Sequence, residues 1–197
     1  MKYLLFFSGG IDSTAVLYKM LQDEPTAEID VVHLVLKNQE NRWEQELVAC
    51  RNIVDWFKHQ GHTFNYVEQV FEYTISSNSF PYDTSVVGFY AAHLIQSKSY
   101  DYVTSGVVAS DDQTWQGQFR TSVRTSIYFS TALSISPCKP IVAWKYPLIG
   151  MTKKEIIKNF LPKDLLELTF SCRAPLQDST PCGSCVACNE INEILAE

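Results

Sequence analysis

Short apolar runs and amphipathic segments alternate along most of the chain. The apolar runs predict buried strands at residues 3–7, 29–36, 63–70, 100–108 and 140–144. The segments between them predict helices at residues 12–22, 43–59, 86–96, 120–134 and 152–159. Polar stretches predict loops at residues 76–82 and 109–119. This alternation indicates an α/β fold, in which helices cover both faces of a parallel sheet.

The composition is that of a soluble globular protein with a sizeable core. The chain has 197 residues, of which 46% are hydrophobic and 19% charged, so one domain is expected. The net charge of -6 argues against a general nucleic-acid binder, which usually carries a basic excess. No apolar run reaches the roughly 18 residues of a membrane span, and no signal peptide is recognisable. We therefore expect no membrane association and a cytoplasmic location.

A glycine-containing turn joins the first predicted strand to the first predicted helix. It reads Ser8-Gly9-Gly10-Ile11-Asp12-Ser13. The glycines let the backbone approach an anion closely, and the first N–H groups of the helix point towards it. The lysine of the common G-x-x-x-x-G-K-[ST] phosphate loop is missing. The turn therefore predicts a phosphate site of another kind at the carboxyl edge of the sheet.

Cysteines are concentrated at the end of the chain. Four of the six lie in the last 26 residues, at positions 172, 182, 185 and 188. In a reducing compartment such spacing is typical of metal ligands rather than disulfides. A structural zinc ion and an iron–sulfur cluster are both compatible with four thiolates. Cys50 lies on the apolar face of its predicted helix and is expected in the core.

Both ends of the chain resemble a known enzyme family. The turn matches the S-G-G-x-D-S signature of the PP-loop ATP pyrophosphatases, which cleave ATP between the α- and β-phosphates. Together with Thr-Phe-Ser-Cys172 and Pro-Cys-Gly-Ser-Cys-Val-Ala-Cys188, it resembles the 7-cyano-7-deazaguanine synthases, the QueC family. Residues 31–47, 146–156 and 168–172 are also similar to segments of that family. The resemblance therefore spans nearly the full length.

The resemblance implies a fold, a set of ligands and a set of site residues. Residues 1–164 would form a Rossmann-like PP-loop ATP-binding domain, similar to the adenine nucleotide alpha hydrolases, and residues 165–197 a zinc-binding element of the same domain. Asp12 and Ser13 would be catalytic, with Asp12 holding Mg²⁺. A structural Zn²⁺ would be held by Cys172, Cys182, Cys185 and Cys188. The residues assigned to ATP are Phe7, Ser8, Gly9, Gly10, Ile11, Asp12, Ser13, Thr14, Ala15, Val16 and Leu17.

The implied reaction converts 7-carboxy-7-deazaguanine and ammonia into 7-cyano-7-deazaguanine. The substrate carboxylate attacks ATP to form an acyl-adenylate, ammonia displaces AMP to give an amide, and a second ATP drives formation of the nitrile. The substrate pocket would include Arg42, Asp111, Arg120 and Arg173. Lys145 and Lys153 are further candidate contacts of phosphate or carboxylate groups. The resemblance also suggests a homodimer.

Residues 109–120 depart from the family segment that helps to form this pocket. An alternative is therefore a diverged enzyme that adenylates another carboxylate, stops at the amide or conjugates a deazaguanine to a macromolecule. A second alternative is a silent subunit that binds a nucleotide or a deazaguanine. Trp115 could either stack on a base or pack the segment. His33, within an apolar strand, is expected to be a core histidine.

Overall fold

A computed structural model describes residues 1–73 and 83–197 of the chain. Its centre is one sheet of five parallel strands in the order β3-β2-β1-β4-β5. The strands are β1 (Lys2–Phe6), β2 (Glu28–Lys37), β3 (Asn65–Glu72), β4 (Tyr102–Ser105) and β5 (Ala143–Lys145). The predicted α/β fold with a parallel sheet is confirmed. The predicted loop over residues 76–82 lies outside the described residues.

Helices follow each of the strands in the described part of the chain. They are α1 (Ile11–Asp23), α2 (Trp43–His59), α3 (Asp83–Ser97), α4 (Ala109–Gln113), α5 (Trp115–Ile135), α6 (Lys153–Glu155), α7 (Lys163–Leu166) and α8 (Val186–Ala196). A π-helical turn, Ile156–Phe160, continues α6. No helix among the described residues combines the length and the apolar character needed to cross a bilayer.

The two faces of the sheet bury two separate apolar clusters. Successive side chains of a strand point to opposite faces. Tyr3 and Leu5 of β1 accordingly pack with α1 and α2 on one face. Leu4 and Phe6 pack on the other face with α3 and α5, where Tyr128 is fully buried. Helices on both faces leave the carboxyl ends of the strands as the open rim.

The predicted loop over residues 109–119 is wrong, because this segment is helical. It holds α4 and the first turn of α5. Thr114 starts α5, since its hydroxyl accepts a hydrogen bond from the N–H of Gly117 at 3.2 Å. Polar residues here form caps and helix surface rather than a loop. A Cβ at Gly117 would lie 2.1 Å from the Asp111 carbonyl oxygen, so the close approach of α4 and α5 requires glycine.

The fourth strand is shorter than the apolar run that predicts it. The ladder between β1 and β4 ends where Phe6 pairs with Ser105. Beyond it, Val108 forms only an isolated bridge with Leu148. Residues after Ser105 therefore leave the sheet at its carboxyl edge. Thr152 caps α6, since its hydroxyl accepts a hydrogen bond from the N–H of Glu155 at 3.2 Å.

Helices α3 and α5 cross closely at Gly88. A Cβ there would lie 2.5 Å from the carbonyl oxygen of Arg124. We therefore expect Gly88→Ala to lower the free energy of unfolding by about 1–3 kcal/mol, because one of the helices must shift. Urea unfolding followed by circular dichroism measures this, and Gly150→Ala is the matched control, because its Cβ would meet nothing within 4 Å. Equal stability of the two variants would contradict the proposed close crossing.

Candidate functional site

A cavity of about 260 Å³ lies at the carboxyl edge of the sheet. The chain leaves β1 towards β2 on one side, whereas β4 lies on the other side, so β1 and β4 flank a switch in strand order. Ligands of open α/β sheets bind at such switch points. The glycine turn after β1 and the residues that follow β4 both line the cavity.

The glycine turn is fixed by contacts with three other parts of the chain. Gly9 has a φ of 72°, and a Cβ there would lie 3.0 Å from the Cys50 sulfur, so only glycine fits without strain. The Gly9 carbonyl accepts a hydrogen bond from the N–H of Phe170 at 2.9 Å. Ser171 Oγ accepts one from the N–H of Ile11 at 3.2 Å. On the β4 side, a Cβ at Gly106 would lie 2.6 Å from the backbone nitrogen of Ser13.

Asp12 carries an oxygen that has no partner in the described part of the chain. Its Oδ1 is buried and forms no hydrogen bond within the described residues. Its Oδ2 lies 3.5 Å from Lys153 Nζ. Burial raises the pKa of Asp12, and the Lys153 ammonium partly offsets this. A buried acceptor without a partner is costly, so this oxygen is suited to a cation or another ligand.

Asp12, Ser13 and Thr14 are of residue types that commonly cap helices, but they do not cap α1. The N-cap is Gly10, which has no side-chain cap, and these residues lie within the first turns of α1. The Ser13 hydroxyl instead lies 3.2 Å from both the N–H and the hydroxyl of Ser8. The loop residues that line the cavity are Phe7, Ser8, Gly10, Asp12 and Ser13. Those absent from its lining are Gly9, Ile11, Thr14, Ala15, Val16 and Leu17, all buried.

Three of the four predicted pocket residues line the same cavity as the loop. They are Arg42, Arg120 and Arg173. The side chains of Arg120 and Arg173 form no ion pair in the described part of the chain. Asp111 does not line the cavity. Its carboxylate accepts a hydrogen bond from the N–H of Val108 at 3.2 Å, which stabilises the start of α4.

Arg42 differs from Arg120 and Arg173 because carboxylates surround it. It is ion-paired with Glu40, Glu46 and Asp83. Burial raises the pKa of Glu46 to about 7, although the Arg42 guanidinium opposes the shift. Three acidic groups around one cation make this end of the cavity acidic. Arg173 lies close enough to lower the pKa of Glu46, but neither it nor Arg120 forms an ion pair within the described residues.

The four terminal cysteines converge as the sequence predicts. Their sulfur atoms all lie within 4.8 Å of one another. The Sγ–Sγ distance is 3.5 Å from Cys172 to Cys182 and 4.0 Å from Cys182 to Cys188. Backbone N–H groups of Ser184 and Cys185 lower the pKa of the Cys182 thiol to about 6, which favours the thiolate that a metal binds. The cluster can hold a metal.

A comparison with known protein families covers nearly the whole chain, not only these two sites. A family model described as "Queuosine biosynthesis protein QueC" matches residues 2–197. The chain belongs to the QueC family. The resemblance predicted from the sequence is thereby confirmed, and membership supports an ATP-using PP-loop enzyme with a cysteine cluster that can bind metal. A search of curated proteins finds no match to the chain.

The fold of this QueC-family chain is also found among solved structures. It is similar to the U34-tRNA thiolase NcsA from Methanococcus maripaludis, solved with its [4Fe-4S] cluster, with a TM-score of 0.55 and 16% identity. The match covers 98% of the QueC-family chain and 64% of the thiolase chain. The chain thus spans less than two thirds of that protein's length. At this identity the similarity shows the fold.

Sequence reasoning misses some residues that the fold of this QueC-family chain brings to the cavity. Thr84, Ser105 and Arg124 line it. Arg124 lies four residues after Arg120 on α5, a spacing that places both on one face of a helix, and this spacing could have identified it. No sequence signal marks Thr84 or Ser105. Trp115, for which the sequence leaves open stacking on a base or packing of its segment, is 75% exposed. Its ring stacks on that of Phe119 with a centroid distance of 5.4 Å.

The predicted core residues of the QueC-family chain are placed as expected. Cys50 is fully buried on α2, and His33 is 1% exposed. His33 Nδ1 lies 2.9 Å from the Phe7 carbonyl, which can only accept, so this nitrogen carries the proton. Its Nε2 forms no hydrogen bond within the described residues. Burial lowers the pKa of His33, and the hydrogen bond to the Phe7 carbonyl partly offsets this.

A pH-dependent loss of stability follows from His33. Below its ordinary pKa of 6.5 the unfolded chain binds a proton that the folded protein does not. The free energy of unfolding therefore falls with falling pH, by at most about 1.4 kcal/mol per pH unit. We expect a steeper fall for the wild type than for His33→Asn, whose side-chain amide can still donate to Phe7. Urea unfolding between about pH 7.5 and about pH 5.5 measures the difference. Parallel profiles would show that His33 titrates normally.

Proposed function

We propose that the chain is an ATP-dependent, AMP-forming C–N ligase that converts 7-carboxy-7-deazaguanine and ammonia into 7-cyano-7-deazaguanine. One observation carries the proposal. The PP-loop, with an Asp12 oxygen that forms no hydrogen bond within the described residues, shares a cavity with Arg120 and Arg173, which form no ion pair there. An anionic nucleotide and a carboxylate substrate could both be held there. Membership of the QueC family supports ATP as one substrate.

The loop suits the pyrophosphate part of ATP. The first hydrogen bond of α1 runs from the N–H of Thr14 to the Gly10 carbonyl, so the N–H groups of Asp12 and Ser13 precede the helical ladder. Such groups bind phosphate oxygens together with the partial positive charge of the helix end. The Ser8 and Ser13 hydroxyls line the cavity beside them. We assign these four donors to the leaving pyrophosphate; the Ser13 hydroxyl, which donates to the Gly10 carbonyl at 3.1 Å, must rotate away from that carbonyl to bind it.

In the proposed reaction a carboxylate oxygen attacks the α-phosphorus of ATP. The bond to the bridging oxygen breaks and pyrophosphate leaves, which gives an acyl-adenylate. Ammonia then adds to the acyl carbon, loses a proton, and AMP leaves with the original carboxylate oxygen. The amide oxygen attacks the α-phosphorus of a second ATP, and pyrophosphate leaves. Loss of both protons from the nitrogen and of AMP, which carries the amide oxygen, gives the nitrile. These steps need positioning and charge stabilisation rather than a protein nucleophile.

Two metals belong to the proposal. The partnerless Oδ1 of Asp12 fits Mg²⁺, which when bound would neutralise charge on the phosphates. The four cysteines fit a structural zinc ion, because tetrahedral ligands about 2.3 Å from zinc lie about 3.8 Å apart. The Sγ–Sγ distances of 3.5 and 4.0 Å bracket that value. A [4Fe-4S] cluster, whose thiolates bind different iron atoms, needs wider spacing.

A product assay by mass tests the function. The protein is incubated with ATP, Mg²⁺, ammonium and 7-carboxy-7-deazaguanine labelled with ¹⁸O in the carboxylate. We expect the nitrile, with labelled oxygen transferred to AMP. Accumulation of the amide, or turnover only with another carboxylate or with a macromolecular acceptor, would favour a diverged enzyme. No AMP release with any acceptor would favour a silent binding subunit.

We further propose that the protein is a cytoplasmic homodimer. Apolar side chains remain exposed on the outer surface of α5, and they include Phe129, Leu133 and Ile135. A second copy could cover them, since exposed apolar patches are typical of interfaces. Light scattering coupled to size-exclusion chromatography measures the mass in solution. A mass equal to one chain would contradict the dimer.

A further inference from the structure

Arg124 is a cavity-lining cation that is held by neutral groups. Its Nε donates to Thr84 Oγ1 at 3.0 Å, and its Nη1 donates to Ser105 Oγ at 2.5 Å. The guanidinium carbon lies 5.7 Å from the ring centroid of Trp144, a cation–π distance. Trp144 in turn donates to Ser105 Oγ at 3.3 Å. Three elements, α3, β4 and β5, thus fix the orientation of one guanidinium.

No carboxylate of the described chain forms an ion pair with Arg124. The contrast is Arg42, which lines the same cavity but is ion-paired with Glu40, Glu46 and Asp83. Burial lowers the pKa of Arg124, whereas Tyr146 and the more distant Asp111 carboxylate raise it, and an arginine stays charged in proteins. A buried charge without a counterion is costly. Its position is therefore explained if an anionic ligand supplies the counterion.

The backbone places this cation next to the PP-loop. Ser105, which accepts from Arg124, is followed by Gly106, and a Cβ at Gly106 would lie 2.6 Å from the Ser13 nitrogen. The end of β4 thus touches the loop on one side and Arg124 on the other. A ligand bound to Arg124 would lie in the cavity that also receives the phosphates of a nucleotide on the loop.

We propose that Arg124 binds the carboxylate of the acceptor substrate and presents it to the nucleotide. The inference rests on the proposed function, since it names the residue that holds the group to be adenylated. A hydrogen bond from the guanidinium to one carboxylate oxygen leaves the other oxygen free to attack the α-phosphorus. The bond between that phosphorus and the pyrophosphate then breaks. Thr84 and Ser105 are positioning residues, because they act by holding the guanidinium.

The proposed reaction has a carboxylate step and an amide step. Comparing the two distinguishes binding of the carboxylate by Arg124 from a general contribution of Arg124 to stability. The first half consumes an anion, and the second consumes a neutral amide. A charge-assisted hydrogen bond is worth more than a neutral one. Loss of Arg124 should therefore impair the carboxylate step far more than the amide step, whereas damage to the fold would impair both equally.

The test compares Arg124→Gln with the wild type in the full-length protein. We expect KM for 7-carboxy-7-deazaguanine to rise about tenfold to a hundredfold. KM for the corresponding amide, and the dissociation constant of a non-hydrolysable ATP analogue, should change less than about threefold. Arg124→Lys keeps the charge without the planar fork, and we expect an intermediate KM. It supplies the test if the glutamine variant does not fold.

Arg51→Gln is the matched control, because Arg51 is exposed and pairs with Glu68 away from the cavity. Unchanged KM for the carboxylate in both Arg124 variants, with the wild type active, would overturn the role of Arg124 alone. A loss of ATP-analogue affinity instead would show that Arg124 binds a phosphate. A wild type that neither binds nor converts the carboxylate, by calorimetry and by mass, would overturn the proposed function and this inference together.

Discussion

Replacing Asp12 with asparagine is expected to lower the rate of AMP formation at least a hundredfold. The substitution keeps the size of the side chain and removes its charge. The partnerless Oδ1 would then be a weak ligand for Mg²⁺, and charge developing on the leaving pyrophosphate would lose its counterion. Removal of a single electrostatic contact to a transition state commonly costs two to three orders of magnitude, so about 10²- to 10³-fold is expected. Single-turnover release of labelled AMP measures the effect.

The control for this experiment lies on the same helix. Asp23→Asn removes a charge at the far end of α1, where the carboxylate pairs with Lys19. We expect its rate of AMP formation to match that of the wild type. Thermal unfolding should show that both variants fold, because Asp12 Oδ1 forms no hydrogen bond that the amide would break. An Asp12→Asn protein that retains the full rate would remove Asp12, and with it the proposed magnesium ligand, from the reaction.

The parts of the fold that depend on local pattern are predictable from the sequence. The alternation of apolar runs and amphipathic segments identifies the parallel sheet, and α2 begins and ends at the residues that its apolar spacing indicates. The glycine turn is recognisable because its chemistry requires glycine at fixed positions. Gly9, at positive φ and against Cys50, shows the physical reason. The four cysteines are recognisable from spacing for a similar reason, since one ion requires convergent sulfurs.

The arrangement inside the cavity depends on contacts between distant segments, and the sequence does not reveal it. Arg42 is predicted as a pocket cation, but Asp83, 41 residues later, helps to neutralise it. The spacing of Arg120 and Arg124 places both on one helix face, but the neutral partners that α3 and β4 give Arg124 are visible only in the fold. The sequence predicts a loop rather than a helix after β4, because the polar residues of this segment are typical of loops. Its helical structure depends on the Thr114 cap and on the absence of a Cβ at Gly117.

The cysteine cluster and the PP-loop are mechanically connected. Phe170 and Ser171, which immediately precede Cys172, hydrogen-bond Gly9 and Ile11 of the loop. A metal that fixes Cys172 would therefore also fix two contacts of the proposed nucleotide site. This gives a structural metal a part in the function without any open position on the metal. The loop and the terminal element should accordingly lose order together.

Replacing Cys172 with serine is expected to abolish metal binding and to weaken the nucleotide site. Loss of a structural metal destabilises a fold by about 4–5 kcal/mol or more. If the contacts of Phe170 and Ser171 are lost as well, at about 1 kcal/mol each, affinity for an ATP analogue should fall up to about 30-fold. Metal analysis, thermal unfolding and calorimetry measure the three effects.

Cys138→Ser is the control, because Cys138 is exposed and outside the cluster. A Cys172→Ser protein that keeps one metal per chain would show that the four sulfurs do not form one site, whereas metal loss with full nucleotide affinity would separate the cluster from the loop.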